Sequence, residues 1–258
     1  MLDISFANYT VFIMLLVRIS GMIFFNPLLS RRSVPTMIKA GLVLAVSVIL
    51  MNTMADVSLS IDSPIEFAYI ALKELGIGWV FGFILQLYMS IILISGEVMD
   101  MQMGVSMSKV YDPSSNVQMP LSGSFLNVMF MVLFFLSNSH LTMIRMFMVS
   151  YNIIPVGAGT FNLEIGSYIA QLFSSILALS LQLALPVMAI EIITEASMGV
   201  LMKAIPQINV FVVNIQIKLL VGILVILIII GPIGSFLGYL IDESFFKMSE
   251  ALRLLASA

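Results

Sequence analysis

The stretch LGIGWVFGFILQLYMSIILISG, residues 75–96, decides the fold of this chain. Its 22 residues include no Asp, Glu, Lys or Arg, and a helix of about 20 apolar residues crosses the hydrocarbon core of a bilayer. Similar uncharged stretches cover residues 113–144, 165–190 and 219–241, whereas 40–55 is shorter and 4–30 is interrupted only by Arg18. The sequence therefore predicts an all-α integral membrane protein with about six long hydrophobic helices.

The composition supports this class. Of the 258 residues, 60% are hydrophobic and only 10% are charged, whereas a soluble domain is about 45–50% apolar and about 25% charged. Such a chain lacks the polar residues that a water-facing surface needs, which excludes a soluble enzyme, a nucleic-acid-binding protein and a disordered regulator. Continuous apolar stretches favour helices over a membrane barrel, whose strands alternate over about 10 residues.

Few residues suit cofactor or metal chemistry. The chain contains no cysteine, which excludes thiol nucleophiles, disulfides and iron–sulfur clusters. His140 is its one histidine, so a site built from several histidines is excluded. The sequence predicts no catalytic residue, no cofactor and no metal site.

Lysines and arginines occur at alternate connections between the hydrophobic stretches. Arg31, Arg32 and Lys39 flank the first connection, Lys109 lies in the third, and Lys203 and Lys218 flank the fifth. By the positive-inside rule, these connections face the cytoplasm and the N-terminus lies outside.

Charged residues in apolar helices need a partner, because each costs about 2.5–3.5 kcal/mol on insertion scales. Arg18 is interpreted as a contact for an ion or substrate, or as half of a salt bridge to a neighbouring helix or subunit; the residues favour the salt bridge. Glu191 and Glu195 lie one turn apart and share a helix face. They suit structural pairing, for example with Lys203, better than a proton relay or an acid pair for catalysis.

The segment 106–123, SMSKVYDPSSNVQMPLSG, is polar and contains two prolines between two long apolar stretches. It forms either a cytoplasmic loop or a re-entrant plug, since irregular backbone at membrane depth is tolerated only inside protein or beside a water-filled cavity. The residues alone favour the plain loop.

Just before this segment, Met99, Met103 and Met107 recur every four residues, either as a deformable methionine seal or as ordinary packing. Gly78 and Gly82, four residues apart, predict close helix packing.

Taken together, these pieces resemble the FliR family, the flagellar type III export-gate subunits, called SctT in injectisomes. The resemblance is carried by an ordered series of short motifs that covers nearly the whole chain. The motifs are Arg32-Ser33-Val34-Pro35, Gly96-Glu97, Gln102-Met103-Gly104, Asp112-Pro113, Pro120, Asn138 with His140, Leu185-Pro186, and Pro206-Gln207 before Phe211-Val212. One departure is Ser139, where the family has glycine.

The resemblance implies a non-enzymatic subunit of the export gate. It implies one copy of this chain in a complex with FliP-type and FliQ-type subunits, with an FlhB-type subunit around the cytoplasmic side. Unfolded flagellar proteins would pass through this channel in the bacterial inner membrane, at the flagellar basal body. It also implies a FliP-like portion, residues 1–164, followed by a FliQ-like helical hairpin, residues 165–258.

The resemblance also implies roles for particular residues. The segment 106–123 would plug the closed channel, which reverses the preference for a plain loop; the residues singled out there are Ser106, Met107, Lys109, Tyr111, Asp112, Pro113, Met119, Pro120 and Gly123. A methionine-rich approach to the constriction comprises Met99, Met101 and Met103. Candidates for ion pairs between subunits are Arg18, Glu97, Asp100, Glu191, Glu195, Lys203 and Lys218.

Two other functions remain open at this point. A small-solute or ion-coupled transporter would use Arg18 with Glu191 and Glu195, although the internal repeats common in transporters are not evident. An intramembrane enzyme would need its acidic residues for turnover, and it is the least favoured reading for a chain without cysteine.

Overall fold

The computed structural model describes residues 6–31, 34–53, 63–106, 120–159, 164–204 and 210–256. These residues are all-helical, as the sequence predicts, and no strand occurs among them. The helices are α1 (Phe6–Phe24), α2 (Thr36–Thr53), α3 (Pro64–Gln102), α4 (Leu121–Leu136), α5 (Ser139–Ile153), α6 (Glu164–Ala204), α7 (Val210–Ile228) and α8 (Ile230–Ala256).

Two of the six predicted hydrophobic stretches are each divided into a pair of helices. The helices α4 and α5 meet at 69°, and α7 and α8 meet at 65°. Asn138, between α4 and α5, has a φ of 56°; this left-handed conformation is incompatible with a continuing right-handed helix. Pro232 lies in the first turn of α8, where its missing N–H costs no helical hydrogen bond. The predicted count of about six helices is therefore not confirmed, because eight helices occupy the described residues.

Several of the helices are suited to a membrane. By length and composition, α3 and α6 could each cross a bilayer, and up to four crossings result if each bent pair counts as one. A 39-residue α3 and a 41-residue α6 exceed the approximately 20 residues that a span requires. The chain is a membrane protein on this evidence.

The chain forms two compact units, each assembled from separate stretches. The first comprises residues 1–88, 138–172 and 242–258, and the second comprises 89–137 and 173–241. In the first unit, the rings of Phe81 and Phe147 pack edge to face with centroids 5.4 Å apart. In the second, the Ser95 hydroxyl donates to the Ser180 carbonyl oxygen at 2.9 Å, joining α3 to α6.

Glycines bring α1 and α3 into backbone contact within the first unit. A Cβ on Gly78 would collide with the Arg18 carbonyl oxygen, and one on Gly82 would lie 2.8 Å from the Phe25 backbone. Gly21 faces Gly78 from α1. The close packing predicted from Gly78 and Gly82 is confirmed, since small residues let two helix backbones approach closely.

Candidate functional site

Arg18, on α1, is fully buried and is held by groups from α3 and from the C-terminal end of α5 in the first unit. Its Nε donates to Glu74 Oε2 at 2.5 Å, and its Nη1 donates to the carbonyl oxygens of Ser150 and Ile154 at 3.2 and 2.8 Å. The guanidinium also stacks over the Tyr151 ring, 4.2 Å from its centroid. Arg18 thus has a counter-ion on a neighbouring helix of its own chain; its pairing with another subunit stays a prediction.

Glu74 is the residue of this network that the sequence reasoning missed. Besides pairing with Arg18, its carboxylate accepts the Gly157 N–H at 2.8 Å, while Lys73 Nζ donates to the Gly157 carbonyl oxygen at 3.3 Å. Glu74 immediately precedes the uncharged stretch that begins at Leu75. The sequence could have indicated Glu74, because a buried arginine needs a carboxylate partner and an acidic residue in another apolar helix can provide one.

The two glutamates of α6 differ in their surroundings. Lys218 Nζ on α7 lies 3.0 Å from Glu195 Oε2, and the Glu195 side chain is 62% exposed. One turn earlier, Glu191 is fully buried and neither carboxylate oxygen has a hydrogen-bond partner among the described residues. A Cβ on Gly222 would lie 3.0 Å from Glu191 Oε1. Lys203, near the end of α6, is exposed.

Asp100, in the last turn of α3, caps the start of α4. Its Oδ2 accepts the Leu121 N–H at 2.5 Å, and its Oδ1 accepts the Ser122 N–H at 3.1 Å and the Ser122 hydroxyl at 2.5 Å. The N-cap residue of α4 is Pro120, whose side chain provides no such hydrogen bond. A carboxylate at this position satisfies otherwise unpaired N–H groups and favours the positive end of the helix dipole. Asp100 is completely buried.

Backbone contact reinforces this junction one turn earlier in α3. A Cβ on Gly96 would collide with the backbone of Gly123, and one on Gly123 would lie 2.6 Å from Pro120 Cγ. We call the set Gly96, Asp100, Ser122 and Gly123 the loop clasp. It joins the last turns of α3 to the first turn of α4, where the segment 106–123 ends.

The methionines near the end of α3 point in different directions. Met99 and Met103 are buried, four residues apart on one face, whereas Met101 is 65% exposed. The Met103 side chain occupies the space that a Cβ on Gly222 of α7 would take. Gly104 follows with a φ of 78°, a left-handed conformation that ends the helix. We call the contact of Met103 with Gly222 the methionine seat.

An apolar pocket of about 290 Å³ adjoins both the loop clasp and the methionine seat. Its lining comes from the end of α3, the start of α4 and α7 of the second unit: Met103, Val105, Leu121, Ser122, Phe125, Leu219, Ile223, Ile226 and Leu227.

The other predicted site residues are placed as follows. Glu97 is half-buried and interacts with neighbouring groups, Ser106 is half-buried, and Pro120 is buried. Met107, Lys109, Tyr111, Asp112, Pro113 and Met119 lie outside the described residues. Within the described part of the chain, no three acidic or histidine side chains are grouped to hold a metal ion.

Comparison with known proteins relates residues 9–244 to the family described as bacterial export proteins, family 1. The chain is 26% identical over 237 residues to the flagellar biosynthetic protein FliR of Escherichia coli K12, covering 92% of this chain and 90% of that protein. It is 27% identical over 228 residues to FliR of Bacillus subtilis 168, covering 87% and 88%. It is 28% identical over 237 residues to the surface presentation of antigens protein SpaR of Shigella flexneri, covering 88% and 90%.

Proposed function

Since the chain belongs to the bacterial export proteins, family 1, we propose that it is the FliR-type structural and gating subunit of a flagellar type III export gate. As a family member, it is a membrane component of a type III export apparatus that works with other export subunits. The finer proposal is that it forms the channel entry for unfolded flagellar proteins and carries out no reaction of its own.

The observation that carries the gating role is the arrangement at the loop clasp. Asp100 of α3 accepts hydrogen bonds from the N–H groups of Leu121 and Ser122, so α3 and the start of α4 are joined directly to each other on either side of residues 107–119. The resemblance to FliR proteins implies that this polar stretch plugs the closed channel. A fixed junction between the two flanking helices supports that proposal.

The proposed assembly follows the resemblance to FliR proteins. One copy of this chain would join FliP-type and FliQ-type subunits, with an FlhB-type subunit on the cytoplasmic side of the inner membrane at the flagellar basal body. Residues 1–164 would take the FliP-like part and residues 165–258 the FliQ-like hairpin. Met99 and Met103 would lie close to the constriction, and Arg18, Glu97, Asp100, Glu191, Glu195, Lys203 and Lys218 stay candidates for contacts between subunits.

Replacing residues 107–119 with a Gly/Ser linker of equal length tests the gating role. The linker keeps the loop clasp and the length of the connection but removes the specific side chains, and such linkers behave as flexible coils. We expect normal assembly with the partner subunits and a membrane that leaks small ions. The measurement is ion flux across vesicles that contain the assembled complex.

An equal-length Gly/Ser replacement of residues 54–62, the connection between α2 and α3, is the matched control. It should leave ion flux at the level of the unaltered complex. Unchanged flux after replacement of 107–119 in a fully assembled complex would refute the plug.

A further inference from the structure

We propose that Glu191 is a proton-binding site: its carboxyl group carries a proton in the arrangement that the structure shows, and Lys218 becomes its counter-ion when the proton leaves. The inference goes beyond the gating function and does not depend on it. It concerns α6 and α7 within the second unit, where Lys218 interacts with both Glu191 and Glu195.

The burial of Glu191 is the first observation. The residue is fully buried, and neither carboxylate oxygen has a hydrogen-bond partner among the described residues. An ionised carboxylate buried without donors is very costly, and a group in such a position takes up a proton instead. The same charge is expensive in any helix that lies in a membrane. A bound proton removes this cost without a partner.

The described groups that pack around the Glu191 carboxyl group are apolar. The point that a Cβ on Gly222 would occupy lies 3.0 Å from Glu191 Oε1, and the Met103 sulfur approaches the same point from α3. Val187, one turn earlier on α6, is also fully buried. A thioether accepts hydrogen bonds weakly and donates none. These groups therefore suit a neutral acid, whose O–H can donate, better than a carboxylate, which can only accept.

Lys218 is placed to serve either glutamate of α6. Its Nζ lies 3.0 Å from Glu195 Oε2, and it precedes Gly222, the α7 residue beside Glu191, by one helical turn. The Glu195 side chain is 62% exposed, whereas that of Lys218 is 12% exposed, so water can solvate Glu195 when the lysine leaves it. The two glutamates thus compete for one lysine, and the proton on Glu191 decides which of them binds it.

The charges that act on Glu191 have opposite effects. Among the described residues they are Lys218 on α7 and Glu195 on α6 itself. On α3, Asp100 binds the N–H groups at the start of α4 instead. The lysine favours the ionised form of Glu191 and the neighbouring carboxylate opposes it. Removing one or the other should therefore move the titration of Glu191 in opposite directions.

Carbodiimide labelling of the protein, purified in mild detergent with its co-expressed subunits, tests the proton. Dicyclohexylcarbodiimide is apolar and reacts with a protonated carboxyl group: the acid oxygen bonds to the central carbon, one C=N bond becomes single, and the proton moves to nitrogen. The adduct rearranges to a stable N-acylurea, which peptide mass spectrometry assigns to one residue. We expect labelling of Glu191 near neutral pH and its loss in alkaline buffer.

Two other glutamates are internal controls for the labelling. Glu195 is exposed and paired with Lys218, and Glu74 is buried but paired with Arg18. Both should be roughly tenfold less labelled than Glu191, the ratio that one pH unit of difference in titration produces. Equal labelling of the three glutamates would contradict the assignment of the proton to Glu191.

Two substitutions test the exchange of Lys218. Lys218→Met removes the alternative counter-ion, so labelling of Glu191 should persist to a pH about 1 unit higher, the scale of one nearby charge. Glu195→Gln removes the competitor for Lys218, so labelling should be lost at a pH about 1 unit lower. If both residues serve stability alone, the pH at which labelling is half lost will not move, and the exchange is refuted.

Glu191→Gln has the shape of the neutral acid and never carries a charge. The amount of complex on native gels should stay within about twofold of the unaltered level, a small change beside the loss from breaking a buried ion pair. A severe loss of complex would show that Glu191 is ionised and pairs with a cation of another subunit, which would overturn the proposal.

Infrared spectroscopy decides the case in which the reagent does not reach Glu191. The C=O stretch of a protonated carboxyl group should appear in the difference between the unaltered complex and Glu191→Gln, and its absence would overturn the proposal. None of these measurements follows ion leak, so failure of the proton site leaves the gating function standing, and failure of the gating function leaves the proton site standing.

Discussion

Arg18 shows how a single buried charge is accommodated in a chain with few charges. Its environment provides a carboxylate, two carbonyl oxygens and an aromatic face. Desolvating an ion pair costs several kcal/mol per ion, which good geometry and further hydrogen bonds offset. All of these partners come from the same chain, so the network joins α1, α3 and α5 before any other subunit is present.

Glu74→Gln is expected to destabilise the protein by about 3–5 kcal/mol, because it leaves the buried Arg18 charge uncompensated. Glu195→Gln is the comparison: the Glu195 side chain is 62% exposed and that of its partner Lys218 is 12% exposed. We expect a smaller loss than for Glu74→Gln, because exposed pairs contribute roughly 0–1 kcal/mol and only one partner of this pair is buried. Thermal unfolding of the purified complex in detergent measures both. Equal losses from the two substitutions would contradict the assigned difference, and a double Arg18→Met, Glu74→Met variant should be more stable than Glu74→Gln alone.

At the scale of helices, glycines determine which pairs can pack with their backbones in contact. Gly78 and Gly82 allow α1 to approach α3, and Gly96 and Gly123 allow α4 to do so. In a membrane there is little hydrophobic force between helices, so close packing and interhelical hydrogen bonds hold them together. The Ser95–Ser180 bond and the Asp100 cap supply such bonds in the second unit.

Gly78→Ala should destabilise the protein by about 1–3 kcal/mol, the usual cost of overpacking, because the new methyl group would strike the Arg18 carbonyl oxygen. Gly199→Ala should have the opposite sign and stabilise by up to about 1 kcal/mol, since alanine is the better helix former and its Cβ meets no neighbour. Unfolding temperatures of the two variants in detergent measure whether each substitution destabilises or stabilises the protein. Stabilisation by both substitutions would show that α1 can move away from α3 freely.

At the scale of the whole molecule, the isolated chain exposes a large amount of apolar surface. Met37, Ile65 and Ile228 are 86%, 82% and 79% exposed in the isolated chain, and several dozen other large apolar side chains are exposed with them. Exposed apolar surface of this extent marks contact with a membrane or with other proteins. It agrees with a membrane-embedded member of a multi-subunit export apparatus.

Native mass spectrometry of the chain, co-expressed with its FliP-type and FliQ-type partners and purified in mild detergent, tests the assembly. We expect one copy of this chain with several copies of two other small membrane proteins, because its apolar surfaces need partners to cover them. A uniform monomer or homo-oligomer would contradict the export-gate assembly. It would favour the transporter alternative, which solute-uptake assays on Arg18 and Glu191 variants would then examine.

Part of what the structure shows was visible in the sequence. The need of Arg18 for a partner follows from the cost of a charge in an apolar helix, and the close packing at Gly78 and Gly82 follows from their spacing. Glu74 and Gly222 were missed, because their partners lie 56 and about 120 positions away in sequence. Asp100 was assigned as an ion-pair candidate, whereas within the chain its carboxylate accepts hydrogen bonds from a helix N-terminus.

The sequence by itself determined that this protein is helical, apolar and suited to a membrane, and the order of its motifs pointed to its family. These properties depend on composition and local periodicity, which each stretch carries independently of the others. Only the tertiary structure decided that Arg18 pairs with Glu74, that the chain bends at Asn138 between α4 and α5, and that Asp100 caps the start of α4. Such contacts join residues far apart in the chain, and their partners are selected by three-dimensional packing rather than by sequence spacing.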